Sequence, residues 1–220
     1  MVSDEMTTQE TAKTRARYNR IAPVYDLMEI FSEQRFVPWR KKLWSLIPGG
    51  RVLEVGVGTG KNFPFHPSGS EVTGVDLSER MLAQAQQKAE KMDYAIELRE
   101  MDTQQLDFAD DSFDAAIATF VFCSVPAPVV GLSELARVVK PGGSIVLLEH
   151  VRIERPAILG KLMDWLDPLV VRMMGAHINR RTADTVQLAG LEVDRVEDLA
   201  ARGLVKLIVA RSPSRNGTGI

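Results

Sequence analysis

The 220-residue sequence holds one cysteine, Cys123, and three histidines, His66, His150 and His177. A single cysteine excludes an internal disulfide framework, and so few Cys and His side chains leave no cage for zinc, so no metal is expected. No uninterrupted apolar run approaches the ~20 residues that a membrane-spanning helix needs. The opening MVSDEMTTQE is polar and acidic, the reverse of the basic and then apolar start of a signal peptide. These absences lead us to expect a soluble, cytoplasmic chain that visits at most the inner face of a membrane. An excess of charge of one sign is also missing. Lys and Arg number 27 against 29 Asp and Glu, a net of −2, which gives no sign of a nucleic-acid partner.

What is present is ordinary for one globular domain: 45 % hydrophobic and 25 % charged residues. A chain of this length buries roughly 70 % of its unfolded surface without staples. The charges are nevertheless unevenly placed. Between Glu10 and Arg51 nine basic residues face four acidic ones, so the body that follows is acidic. That asymmetry points to an anionic partner near the N-terminus.

Residues 11–20 read as a helix broken before Pro23, and 24–46 as a second helical region interrupted by Pro38 and closed by Pro48-Gly49-Gly50. The period then changes. A β-rich run, 51–55, feeds into Gly56-Val57-Gly58-Thr59-Gly60, and a second, 71–75, ends at Asp76 before a helix capped by Ser78 and running to about Lys91. Further strands are expected at 96–99, 113–120 and 144–148, with a helix at 128–139 stopped by Lys140-Pro141-Gly142-Gly143. This alternation is the pattern of a doubly wound α/β sheet. The runs 191–198 and 205–211 are joined by too short a link for a crossover helix and should pair antiparallel. An insert at about 152–189, carrying Met163 and Trp165, is too apolar for a linker, and the residues from Ser212 onward read as frayed.

Gly56, Gly58 and Gly60 follow a strand, where glycine permits a tight turn and close approach of a ligand to the backbone. Asp76, twenty positions after Gly56, stands where a carboxylate accepts both hydroxyls of a ribose. The spacing GxGxG departs from the GxGxxG of pyrophosphate loops. Glu54 would repel a pyrophosphate and suits a cation, while Asp102 after the third strand is placed for an adenine amino group. Three acids about one cleft fit a positively charged nucleoside without phosphate, which describes S-adenosylmethionine. Met81 and Leu77 suit core positions as well as a ligand wall, Asp107 and Asp114 read as turn formers, and Cys123 reads as a small buried hydrophobe.

Leu53-Glu54-Val55-Gly56-Val57-Gly58-Thr59-Gly60, Val75-Asp76, Asp107-Phe108 through Ser112-Phe113-Asp114, and Val139-Lys140-Pro141-Gly142-Gly143 together resemble the successive motifs of class I S-adenosylmethionine-dependent methyltransferases. The resemblance spans about residues 15–211. It implies a Rossmann-like, doubly wound, seven-stranded, mostly parallel sheet with the last strand antiparallel. It also implies S-adenosylmethionine as cofactor, with contacts at Glu54, Gly56, Gly58, Gly60, Asp76, Leu77, Met81, Asp102, Thr103 and Phe120. The expected organisation is one domain over 1–220: an N-terminal helical lid over 1–48, a cofactor-binding core over 49–211 and a frayed tail over 212–220.

Tyr18-Asn19-Arg20-Ile21-Ala22-Pro23-Val24-Tyr25-Asp26 is similar to the opening of quinone and phospholipid methyltransferases, where a helix and loop close over the cofactor; this adds Tyr18 to the cofactor contacts. Glu149-His150 with Phe122-Cys123-Ser124-Val125 also resembles lipid-associated and thiol-methylating enzymes. These relatives share a lipophilic acceptor. Arg35, Phe36, Trp39, Arg40, Lys41, Lys42, Leu43 and Trp44 mix cations with tryptophan as an interfacial helix does, which suggests docking on an anionic membrane.

The resulting expectation is peripheral lipid metabolism: N-methylation of phosphatidylethanolamine towards phosphatidylcholine. His150 would remove the amine proton, Tyr25 would orient the amine beside it, and Arg180 would hold the acceptor's phosphate. A quinone-precursor C-methyltransferase and a small-thiol S-methyltransferase are the enzymatic alternatives, and a regulator that binds S-adenosylmethionine is the non-enzymatic one.

Overall fold

The computed structural model describes residues 2–154, 156–174, 176–200 and 203–214. Its framework is one seven-stranded sheet built from β1 (Arg51–Val55), β2 (Glu71–Asp76), β3 (Ile96–Glu100), β4 (Phe113–Thr119), β5 (Val139–His150), β6 (Glu192–Asp198) and β7 (Val205–Arg211). The spatial order is β3-β2-β1-β4-β5-β7-β6. The first five strands run parallel, and β7 lies antiparallel between β5 and β6. The expected doubly wound sheet with an antiparallel end is therefore present.

Burial follows from strand position. Val52, Leu53 and Val55 of β1 and Ala115 through Ala118 of β4 are fully buried, because helices cover both faces of a parallel sheet. The edge strands β3 and β6 are largely exposed and charged, which discourages pairing with another chain. On one face, α4 (Pro128–Val138) and α6 (Thr182–Leu188) pack Leu132, Leu135, Val138 and Val186 against Leu53, Val55 and Ile145. On the other, α2 (Ile30–Trp44) contributes Leu43 and Trp44 to a cluster with Val52, Ile117, Val146, Leu148 and Leu207. The rest of the helical complement is α1 (Val2–Met28), α3 (Glu79–Ala89) and α5 (Ala157–Met174).

The structure departs from the sequence expectation at Pro23, at the start of β5 and at Ser212. Helix α1 passes through Pro23 and ends only at Met28. Proline has no N–H to give the carbonyl four residues back, and here that carbonyl, Asn19 O, accepts from Arg80 Nη1 at 3.5 Å. Strand β5 begins at Val139, before the Pro141-Gly142-Gly143 turn, with a register shift opposite Phe113 and Ala115. Gly143 is required there, since a Cβ would lie 2.7 Å from Asp114 O. Ser212 is not frayed: its N–H donates to Gly143 O at 3.0 Å, its Oγ donates to Ala136 O at 2.8 Å, and it is buried. Residues 215–220 of the expected tail lie outside the described residues.

Candidate active site

The first βα turn leaves β1 through Gly56, Gly58 and Gly60, all at positive φ. Their duties differ. A Cβ on Gly56 would meet Val121 at 2.4 Å and one on Gly60 would meet the Phe63 ring at 2.4 Å, so both permit close packing. At Gly58 the nearest atom to such a Cβ is 3.9 Å away, and its backbone lies bare to a cavity. Gly58 N–H donates to Asp76 Oδ2 and Ser78 N–H to Asp76 Oδ1, both at 2.8 Å. Burial pushes the Asp76 carboxyl up to about 6 against the opposing pull of these donors. Leu77 N–H is a third backbone donor to this carboxyl, which keeps acceptor capacity for a ligand hydroxyl.

One cavity gathers most of the expected contacts: Gly56, Gly58, Asp76, Leu77, Met81, Asp102, Thr103 and Phe120, with Tyr18 and Tyr25 arriving from α1. Glu54 and Gly60 are not part of its wall. The Glu54 carboxylate is buried beneath the glycine turn, accepting from Asn62 Nδ2 at 2.7 Å and facing His66 Nε2 at 3.0 Å. Asp102 lines the cavity with both oxygens bonded to Gln104 Nε2 at 3.0 Å. The wall also contains Ser124 and Val125, from the segment that resembles lipid-associated enzymes, and Thr14, Thr119 and Pro126, which no motif singles out. Gln104 is a hub behind it: its amide also donates to Thr11 Oγ1 at 3.0 Å and its oxygen accepts from Ala127 N–H at 2.8 Å.

The segment after β4 is fixed by a residue of β5. Phe120 adopts φ 58°, an unusual value for a non-glycine residue. Its N–H donates to Leu148 O at 2.7 Å. Glu149 Oε1 accepts from Val121 N–H and Phe122 N–H, each at 3.0 Å, while Oε2 is buried without a hydrogen-bond partner. Burial pushes the Glu149 carboxyl up to about 7. Cys123, 4 % exposed, has its thiol pushed far up by burial and then by the Glu149 charge.

Of the two residues expected in the chemistry, Tyr25 lines the cavity and His150 stands one ring behind it. The His150 imidazole stacks on Phe120 with centroids 4.4 Å apart and 18° between planes, and Phe36 of α2 meets its edge at 6.0 Å. Burial lowers the His150 pKa, keeping the ring neutral near pH 7. Burial raises both phenols, Tyr18 and Tyr25, so both are protonated. Arg180 does not reach this cavity and lines a neighbouring one.

The cover is tied down by long-range pairs. Asn19 Oδ1 accepts from Ser78 Oγ at 2.6 Å, Asp26 accepts from Thr59 Oγ1 at 2.6 Å and from Lys88 Nζ at 2.7 Å, and Lys61 pairs with Glu29. Residues 35–44 are divided between surface and interior, with Arg35, Val37 and Lys41 exposed. Leu43, Trp44 and Arg40 are buried, Arg40 bonds Glu33 and Asn62, and Lys42 pairs with Glu197. Exposed apolar side chains lie along α5, at Ile158, Leu162, Trp165 and Leu169, and at the junction of α1 and α2, at Leu27, Met28 and Ile30. No described helix is long and apolar enough to cross a membrane.

A buried carboxylate with spare lone pairs, an open glycine backbone and neutral rings fit a nucleoside that carries a cationic sulfonium. Comparison with known proteins agrees. Residues 53–147 match the family described as "Methyltransferase domain". A phosphatidylethanolamine N-methyltransferase of Cereibacter sphaeroides is 48 % identical over 104 residues, which is 46 % of this chain and 51 % of that protein, so the chain spans about half that relative's length. The ubiquinone/menaquinone biosynthesis C-methyltransferase UbiE of Bdellovibrio bacteriovorus is 32 % identical over 74 % of this chain and 72 % of its own. Among solved structures, a SAM-dependent methyltransferase of Thermotoga maritima, described as a possible histamine N-methyltransferase, superimposes with a TM-score of 0.71. It is 22 % identical and covers 90 % of this chain and 99 % of that one, a likeness of fold.

Proposed function

The chain belongs to the class I S-adenosylmethionine-dependent methyltransferases, and from that premise we propose that it methylates the amine of phosphatidylethanolamine. The observation that supports an amine is the pair of neutral phenols that α1 brings to the cavity wall, Tyr18 and Tyr25. Aromatic faces attract an alkylammonium by about 0.5–2 kcal/mol each. The phosphatidylethanolamine N-methyltransferase relative supports the same acceptor. The exposed apolar face of α5 supplies surface for contact with a bilayer.

Bound S-adenosylmethionine supplies a sulfonium methyl group, whose carbon–sulfur bond breaks as the amine's lone pair forms the new carbon–nitrogen bond. In this reading, Gly56, Gly58, Asp76, Leu77, Met81, Asp102, Thr103 and Phe120 hold the nucleoside, Glu54 fixes the turn from beneath, and Gly60 allows its packing. Tyr18 and Tyr25 orient the amine and exclude water, which concentrates the rate gain in alignment. Neutral His150 accepts the amine's proton through solvent beside Phe120, a role typically worth about 10²–10⁴ in rate. Arg180 belongs to the acceptor's phosphate end.

The test is transfer of labelled methyl groups to vesicles containing phosphatidylethanolamine, followed by lipid chromatography. Label in mono-, di- or trimethylated headgroups, strongly reduced by His150→Ala with a changed pH profile, is the expected result. Protein that binds S-adenosylhomocysteine yet labels no lipid rules the reading out. The quinone-precursor reading draws on the UbiE relative, and label in a quinone precursor in place of lipid would establish it.

A further inference from the structure

Beside the cofactor cavity lies a second one of about 140 Å³, with Lys13 and Arg17 of α1 on one side and His177 and Arg180 on the other. The two cavities share Thr14, Ser124 and Pro126, so they adjoin. Backbone bonds fix the far wall: His177 N–H donates to Cys123 O at 2.8 Å, and Arg152 N–H donates to Arg180 O at 2.9 Å.

Charge in this cavity does not balance. Among the described residues its one acidic lining side chain, Glu10, is bonded to Lys13 Nζ at 2.7 Å. Asp167 behind the wall already accepts from His177 Nδ1 and Ile178 N–H, each at 2.8 Å. Glu149, the other acid that Arg180 feels, has one oxygen bonded to Val121 and Phe122 N–H. Among the described residues no ion pair includes Arg17 or Arg180. Arg180 is half-buried, and burial is the largest influence on it, weakening its hold on its proton. Two arginines, one from α1 and one from the segment before α6, therefore line one partly open cavity, and among the described residues neither has a bonded carboxylate, an arrangement that an oxyanion held by both relieves.

We propose that this cavity is the subsite for the acceptor's phosphate, with Arg17 and Arg180 as its ligands and His177 at its edge, and that it selects phosphorylated amines over free amines. The proposal rests on the methyl-transfer reading above and deepens it. The phosphate arrives either on a lipid headgroup or on a soluble phosphoamine, and both present the same oxyanion.

The experiment titrates glycerophosphoethanolamine, ethanolamine and inorganic phosphate into full-length protein loaded with S-adenosylhomocysteine, followed by calorimetry. Glycerophosphoethanolamine should bind, phosphate should displace it, and ethanolamine should bind far more weakly. Arg17→Gln and Arg180→Gln should each weaken both phosphate ligands by about tenfold or more, leaving S-adenosylhomocysteine affinity unchanged, while Lys41→Gln on the exposed surface changes nothing. Equal phosphate binding in all variants, or ethanolamine binding as well as its phosphorylated form, overturns the subsite. Parallel methylation assays separate the sources: transfer to vesicles alone identifies the lipid, and transfer to glycerophosphoethanolamine identifies a soluble phosphoamine. Arginine-dependent phosphate binding without methylation of any ethanolamine headgroup sustains the subsite and sinks the acceptor. Undiminished methylation of phosphatidylethanolamine by both arginine variants does the reverse.

Discussion

The floor and the cover of the cofactor cavity are held by different kinds of bond. In the floor, carboxylates grip main chain: Asp76 binds Gly58 and Ser78 N–H, Glu149 binds Val121 and Phe122 N–H, and Asp102 binds Gln104 N–H at 2.9 Å. In the cover, side chains meet side chains across about sixty positions, as in Asn19 with Ser78 and Asp26 with Lys88. Asp26 and Lys88 remain 40 % and 37 % exposed, where an ion pair contributes at most about 1 kcal/mol. The floor is held through main chain, and the cover through side-chain pairs of which the outermost, Asp26 with Lys88, is the weakest.

The strongest way to break this contrast is at Asp76. Asp76→Ala removes the acceptor for two floor N–H groups and for the nucleoside, and S-adenosylhomocysteine affinity measured by calorimetry should fall about 100-fold, with helical circular dichroism retained. Gly60→Ala separates the duties of the glycines. A Cβ would strike Phe63 at a φ of +77°, so urea unfolding should show a loss of about 2–3 kcal/mol while the folded fraction keeps its ligand affinity.

Glu149 sharpens the comparison through pH. Its folded pKa, about 7, exceeds the ordinary 4.5, so its stabilising contribution is full below 4.5 and disappears as pH rises through 7. Urea titrations from about pH 8 to about pH 5 should show the wild type gaining stability relative to Glu149→Gln, and a constant difference would refute the assignment. The smallest effect belongs to the cover. Asp26→Asn should change stability by less than about 1 kcal/mol, yet release S-adenosylhomocysteine about three- to tenfold faster in stopped flow, an effect that added salt imitates in the wild type.

The same contrast explains what was legible in the sequence. Gly56, Gly58, Asp76 and Asp102 stand at strand ends, and strand alternation alone brings such positions to one sheet edge. Ser78 was readable as a cap because its Oγ accepts from Met81 N–H only three residues on, at 3.2 Å. Glu54 and Gly60 lie in the same motif, but their surroundings include Asn62, His66 and Phe63 of the following 3-10 turn, whose packing no spacing rule reveals. Residues 35–44 are ambiguous in sequence for a related reason: tryptophan among cations looks the same whether the ring meets lipid or, as for Trp44, the sheet. Pro23 looks like a break in sequence because the compensating Arg80 lies 57 positions away. Thr14, Ser124 and Pro126 border both cavities only because α1 folds back across the sheet edge, which is a property of the assembled chain.

The burial of Cys123 has a practical consequence. The sequence contains no other cysteine, and a thiol kept protonated in a packed interior is inert to alkylating dyes. The unmodified protein therefore forms a silent background for site-directed labelling. One cysteine introduced at exposed Leu27 of α1 and another at exposed Leu162 of α5 would carry the only reactive sulfurs, and a donor–acceptor pair placed there would report opening of the cover in real time.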